Sequence, residues 1–216
     1  MTWGVLFDLD GLLVDSEPIW SVAEAEIMAW LGGPWNLDVK AACLGRRVDE
    51  SCRELVRIAG SGIPPEVVQV RLLARMCELF RADLPLLPGA GALLDELGER
   101  GVPIALVSSS FRVLVDAALE SVGAERFAFT LAGDEVVNAK PDPEPYARAA
   151  AALGSPPARC VVLEDSETGA RSGAAAGCPV VVVPNVVEVE PGPGRVVIRS
   201  LAEVDAGLLA GLVTKA

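Results

Sequence analysis

Four places in the chain carry groups able to do chemistry beside a glycine, a proline or a run of hydroxyls. Phe7-Asp8-Leu9-Asp10-Gly11 holds two carboxylates one residue apart, and a turn at the glycine can bring both to bear on one point. Ser108-Ser109-Ser110 stands just before a helical pattern, where backbone N–H groups and a hydroxyl together make an anion site. Lys140 lies in Ala139-Lys140-Pro141-Asp142-Pro143, also ahead of a helical pattern, and Glu164-Asp165-Ser166 is a second carboxylate pair. Each fragment has an ordinary reading too. Asp-Gly pairs are common in turns, serines and acids cap helices, and a loop lysine is usually solvated. The order counts for more than the pieces: every fragment falls where an apolar run gives way to a helical pattern.

The elements that must position these groups are legible as periodicity. Trp3 to Leu9, Val102 to Val107, Cys160 to Leu163 and Pro179 to Val183 are continuously apolar, the pattern of strands buried on both faces of a parallel sheet. Phe127 to Leu131 reads as a weaker strand and Val196 to Ile198 as an edge. Helical patterns fall between them at Ala90 to Glu99, Phe111 to Ser121, Pro143 to Leu153, Thr168 to Ala176 and Leu201 to Leu212. This alternation predicts an α/β fold with a doubly wound, Rossmann-like parallel sheet, whose ligand sits beyond the carboxyl ends of the strands. The stretch from Glu17 to Leu87 breaks the alternation. It is helical, interrupted at Gly32-Gly33-Pro34 and at Gly60 to Pro65, and reads as a small inserted domain. The expected division is residues 1–16 and 88–216 for the sheet core and 17–87 for the insert.

Composition removes several function classes. With 51% hydrophobic residues the chain can bury a core. Lys and Arg number 18 against 30 acids, a net charge of −12, which disfavours nucleic acid and anionic membrane surfaces as partners. There is no histidine, so Ser-His-Asp and histidine-ligated zinc chemistry are excluded. Cys43, Cys52, Cys77, Cys160 and Cys178 are odd in number and lack CxxC spacing, so they read as small core hydrophobes. With no basic leader ahead of Val5-Leu6-Phe7 and no long apolar run, the expectation is a soluble cytoplasmic protein. No coiled-coil seam marks an obligate assembly, so a monomer is expected.

In sequence order, D-L-D-G-L-L-V-D-S-E, V-S-S-S, A-K-P-D-P-E-P-Y and V-V-L-E-D-S-E-T-G resemble the four motifs of the haloacid dehalogenase superfamily. The similarity runs from Leu6 to Ile198 and is to the branch with a helical cap after the first motif, which contains β-phosphoglucomutase and small sugar-phosphate phosphatases. The resemblance implies that Asp8 is a nucleophile forming an aspartyl-phosphate and that Asp10 is the general acid and base. Ser108, with the helix start at Ser109, and Lys140 would bind phosphate. Mg²⁺ would be held by Asp8, Asp10 (through its backbone carbonyl), Glu164 and Asp165. Charge counting agrees with a metal: with Asp10 kept protonated by its neighbours, three carboxylates and one ammonium leave −2 before a dianionic phosphate arrives. An all-oxygen donor set favours Mg²⁺ over zinc.

An acid at Asp10 argues for phosphate esters, since haloacid and phosphonate chemistry needs no protonated leaving oxygen. Trp20 stands where the β-phosphoglucomutase branch has a histidine, which favours transfer to water over mutase chemistry. Arg46, Arg47 and Trp20 are the expected substrate-selecting residues of the cap; Glu17, Arg112 and Asp134 are second-tier candidates, Asp134 as support near Lys140 or only a turn. The expected substrate is a small phosphorylated metabolite, a sugar or polyol phosphate. The competing readings are a phosphosugar mutase and a catalytically inactive module binding a phosphorylated ligand or a protein.

Overall fold

A computed structural model describes residues 3–43, 46–192 and 194–213. Among these, six strands form one sheet: β1 (Gly4–Phe7), β2 (Ile104–Val107), β3 (Phe129–Leu131), β4 (Cys160–Glu164), β5 (Val180–Val182) and β6 (Arg195–Val197). All neighbours are parallel, in the order β3-β2-β1-β4-β5-β6. Every residue of β1, β2, β4 and β5 is buried, which is why those runs carry no polar alternation. Their side chains part to opposite faces with the period of two that a strand imposes. Val5 and Phe7 join one apolar cluster and Leu6 the other.

The first cluster takes in α5 (Ala90–Glu99), α6 (Arg112–Val122) and α9 (Ala206–Val213), and the second α7 (Glu144–Ala152) and α8 (Glu167–Ala175). Helices thus cover both faces, and both expected edge strands are present.

Between β1 and α5 lie four helices, α1 (Glu17–Leu31), α2 (Leu37–Cys43), α3 (Val48–Ala59) and α4 (Pro65–Ala82). The breaks follow the glycines and prolines. α1 ends at Gly32 and α3 at Gly60, both left-handed (φ +77° and +62°), a conformation that costs glycine nothing. α4 begins with Pro65, where a missing N–H loses no helical bond. Leu44 and Gly45, within the expected helical stretch, lie outside the described residues. The insert leans on the sheet domain through α4, where the Cys77 thiol donates to the Val113 carbonyl at 3.5 Å and Arg81 pairs with Glu120 at 2.9 Å. Its two connections run side by side. Val14 and Leu86 form an antiparallel bridge, flanked by bonds from Asp15 N–H to the Pro85 carbonyl and from Leu87 N–H to the Leu13 carbonyl, both 2.9 Å.

One expected helix is corrected. Residues 201–212 are not continuous: a short 3₁₀ turn covers Leu201–Glu203, and α9 begins only at Ala206. Two side chains impose the break. The Ser200 hydroxyl accepts the Ala202 N–H at 3.2 Å, and Asp205 accepts the Leu208 N–H at 2.7 Å, so each begins its own turn. No described helix is long and apolar enough to cross a membrane.

Candidate active site

β2, β1 and β4 are adjacent at the centre of the sheet, so whatever follows their last residues must meet. Chain order reverses direction across the sheet between β1 and β4, the position where such sheets open a crevice. The register pairs Phe7 with Leu163, and the Asp8 N–H donates to the Leu163 carbonyl at 3.0 Å, which sets Asp8 beside Glu164. Beyond Asp8 the chain folds into a tight turn in which Gly11 has φ +80° and donates to the Val14 carbonyl at 3.0 Å. A side chain at Gly11 would be strained and would run into the Asp165 carboxylate. The glycine after the paired aspartates is therefore the space that Asp165 occupies.

Lys140 is the hub of the buried charges. Its ammonium donates to Asp8 Oδ1 at 2.6 Å, Glu164 Oε1 at 2.7 Å, the Val107 carbonyl at 2.9 Å and the Tyr146 hydroxyl at 2.9 Å. Tyr146, fully buried on α7, donates to Glu164 Oε1 at 2.7 Å. The other Glu164 oxygen accepts the N–H groups of Asp165 and Ser166 and the Ser166 hydroxyl. Burial works against the ionised form of Glu164, but Lys140, Tyr146 and Ser166 hold it below the usual carboxylate range. Burial disfavours the charged ammonium of Lys140 as well, and the carboxylates of Asp8 and Glu164 outweigh that and push it up.

Asp8 and Asp165 are under strain of the opposite kind. Burial pushes Asp8 up to about 8 despite Lys140, with the charges of Glu164 and Asp10 adding to it. Burial, then the charges of Glu164 and Asp8, push Asp165 well above its ordinary value. Asp8, Glu164 and Asp165 each offer an oxygen, all within 4.8 Å of one another. This all-oxygen donor set with surplus negative charge fits a hard divalent cation. Within the set, Glu164 has both oxygens engaged, and it fixes Lys140 and the Asp165 turn.

Asp10 faces elsewhere. Its carboxylate accepts the hydroxyls of Ser16 at 2.8 Å, Ser110 at 2.8 Å and Ser108 at 3.2 Å, and it stands outside the acid cluster. This gives Ser108 a partner other than the expected phosphate. It is buried, donates to Asp10 and accepts the Ser110 N–H at 2.9 Å, while exposed Ser109 lines the cleft.

The cleft, about 350 Å³, has Asp8, Asp10, Ser109, Lys140 and Asp165 on its sheet side. Glu17, Trp20, Glu24, Lys40 and Arg46 line its helical side. Of the expected selecting residues, Trp20 and Arg46 are thus in place. Arg47 is not: its guanidinium turns to Asp49 at 3.2 Å, an acid in the first turn of its own helix α3. Arg112 and Asp134 belong to a separate network, where Asp134 accepts the Arg112 N–H at 2.7 Å at the start of α6. All five cysteines are buried free thiols, consistent with a packing role.

Sequence reading missed Tyr146, Ser16, Lys40 and Glu24, and named Ser110 without a role of its own. Tyr146 lay inside the quoted A-K-P-D-P-E-P-Y stretch, and a fully buried tyrosine needs a partner for its hydroxyl. Lys40 and Glu24 carried no local signal, since nothing in a helical pattern says which way α1 and α2 face.

At the switch point of this Rossmann-like sheet a lysine-held aspartate thus joins an acid cluster. The chain belongs to the haloacid dehalogenase-like hydrolase family, whose model matches residues 4–177. It is 33% identical to hexitol phosphatase B of Escherichia coli strain K12, over 97% of this chain and 94% of that one. Hexitol phosphatase A of the same strain is 34% identical, over 83% of this chain and 82% of its own. Among solved structures, CbbY from Rhodobacter sphaeroides in complex with phosphate superposes with a TM-score of 0.84 at 28% identity, covering 94% of this chain and 96% of that one.

Proposed function

We propose that the chain is a Mg²⁺-dependent phosphatase of small phosphorylated metabolites, sugar or polyol phosphates, working through an aspartyl-phosphate at Asp8. The observation that carries this reading is the 2.6 Å bond from Lys140 to Asp8 Oδ1. It pins one carboxylate oxygen of a residue that lines the cleft together with Asp10, Ser109 and Asp165. Asp8 attacks phosphorus, the ester bond to the leaving alkoxide breaks, and Asp10 delivers the proton that oxygen needs. Asp10 then takes a proton from the water that hydrolyses the aspartyl-phosphate, returning both groups to their starting state. Ser16 and Ser110 hold the Asp10 carboxylate from opposite oxygens, so its orientation is fixed before substrate arrives. Ser109, in the loop between β2 and α6 rather than at the helix start, and Lys140 receive the phosphoryl oxygens.

Asp8 and Asp165 would hold the cation, with Glu164 in reach and Asp10 contributing its backbone carbonyl. When bound, the ion supplies charge neutralisation and orients phosphate toward Asp8. Residues 17–87 act in this reading as a cap that selects the leaving group, over a core of 1–16 and 88–216. Trp20 in the cleft wall offers no proton-transferring group, which favours water over a second sugar as phosphoryl acceptor.

The test is release of inorganic phosphate from p-nitrophenyl phosphate with and without Mg²⁺, alongside Asp8→Asn. Metal-dependent release abolished by the variant is the expected result. Release that persists in Asp8→Asn would overturn the nucleophile assignment.

A further inference from the structure

The helical wall of the cleft contains a carboxylate that the chemistry at Asp8 does not use. Glu24, on α1, is 6% exposed and faces the cleft. Among the described residues its carboxylate has neither a hydrogen-bond donor nor an ion-pair partner. The nearby donors are committed elsewhere. Lys40 gives its ammonium to the Ser21 hydroxyl at 2.7 Å and lies 3.7 Å from Glu17, and the Ser51 hydroxyl donates to the Cys43 carbonyl at 3.3 Å. A carboxylate with no protein donor that opens onto a cleft takes its donors from what the cleft holds.

We propose that Glu24 is the specificity-determining acceptor for the leaving group, and that the leaving group is a neutral polyhydroxylated chain whose hydroxyls donate to it. The proposal rests on the phosphatase reading and narrows its substrate. The chemistry of the acceptor decides between ligand classes. A polyol offers O–H donors and a carboxylate takes two or more of them at once. A leaving group ending in a carboxylate or second phosphate offers few or no donors at neutral pH. Burial, then the charge of Glu17, push Glu24 up to about 7 against the pull of Lys40, as befits an acceptor short of donors.

The experiment compares wild type, Glu24→Gln and Glu24→Leu on sorbitol 6-phosphate, phosphoglycolate and p-nitrophenyl phosphate. It also measures thermal stabilisation by sorbitol 6-phosphate in the Asp8→Asn background with and without Glu24→Gln. The expected result is a fall in kcat/KM for sorbitol 6-phosphate of ~10-fold or more, carried by KM, as loss of a charge-assisted hydrogen bond predicts. The loss on p-nitrophenyl phosphate is at least several-fold smaller than the loss on sorbitol 6-phosphate, and phosphoglycolate stays level or improves. The thermal shift by sorbitol 6-phosphate shrinks when Glu24 is replaced. Equal loss on all three esters, or no loss on sorbitol 6-phosphate, would overturn the proposal. If wild type hydrolyses none of the esters yet the Glu24-dependent thermal shift is present, the phosphatase reading fails and the polyol subsite stands.

Discussion

At the scale of single residues, the site is held by one ammonium with more acceptors than donors. Lys140 serves Asp8, Glu164, Tyr146 and the Val107 carbonyl together, so each partner fixes the direction of the rest. Tyr146→Phe removes a hydroxyl that both accepts from Lys140 and donates to Glu164, leaving Glu164 Oε1 one partner fewer. The expected cost is about 1–2 kcal/mol of unfolding free energy, read by urea denaturation. Turnover should fall ~10-fold or more through misdirection of Lys140, read by steady-state kinetics.

Glu24 makes a second residue-scale prediction. Its pKa is raised in the folded chain from 4.5 to about 7, so the fold binds the proton more tightly than the unfolded chain does. That stability is fully present below pH 4.5 and is lost as the pH rises through 7. Glu24→Gln, which has no proton to lose, should therefore gain on wild type by on the order of 3 kcal/mol between about pH 4 and about pH 8. Chemical denaturation at the two pH values checks this, and an unchanged difference would refute the raised pKa. That the four fragments would meet was legible in the sequence because each sits in a short stretch whose neighbours dictate a turn or a helix start. Glu24 and Lys40 were not, because their meaning depends on which face α1 and α2 turn to the sheet domain.

At the scale of elements, the strand-to-helix junctions carry the precision. The junction after β4 does so with two small residues. The Ser166 hydroxyl accepts the Gly169 N–H at 3.1 Å, capping α8, and donates to Glu164 at 2.9 Å. Gly169 has no side chain because a Cβ there would overlap the Glu164 carboxylate. Gly169→Ala should displace Glu164 and with it Lys140, lowering turnover ~100-fold and stability by about 2 kcal/mol or more. Ser166→Ala loses only the cap and one acceptor's partner, about 1 kcal/mol. If circular dichroism melts and kinetics ranked these two in the opposite order, the overlap argument would fail. The sheet was readable because continuously apolar runs admit one kind of strand. The break between Leu201–Glu203 and α9 was not, because Ser200 and Asp205 look alike in sequence whether they cap a helix or sit within one.

For the whole molecule, the sheet gathers negative charge that only its own lysine offsets, in a chain already at −12. A divalent ion binding among Asp8, Glu164 and Asp165 relieves that repulsion in the native state alone, so millimolar Mg²⁺ should raise the melting temperature of wild type. Asp165→Asn should lose most of that rise, and chelation with EDTA should remove both the rise and phosphate release. Differential scanning fluorimetry reads the first and a phosphate assay the second.

The paired connections to the helical insert have a consequence for how such a protein diversifies. Val14 and Leu86 are bridge partners, so the backbone enters and leaves the insert at neighbouring points, about 5 Å apart as in any antiparallel pair. A foreign helical bundle whose ends lie equally close can be grafted at this stem without altering the path of the chain through Asp8 or Asp10. Glu24, Lys40 and Arg46 would leave with the old bundle, while Lys140, Tyr146, Glu164 and Asp165 would stay behind. If the helices choose the leaving group as proposed, that choice is exchangeable as a cassette, separately from the groups gathered at the sheet.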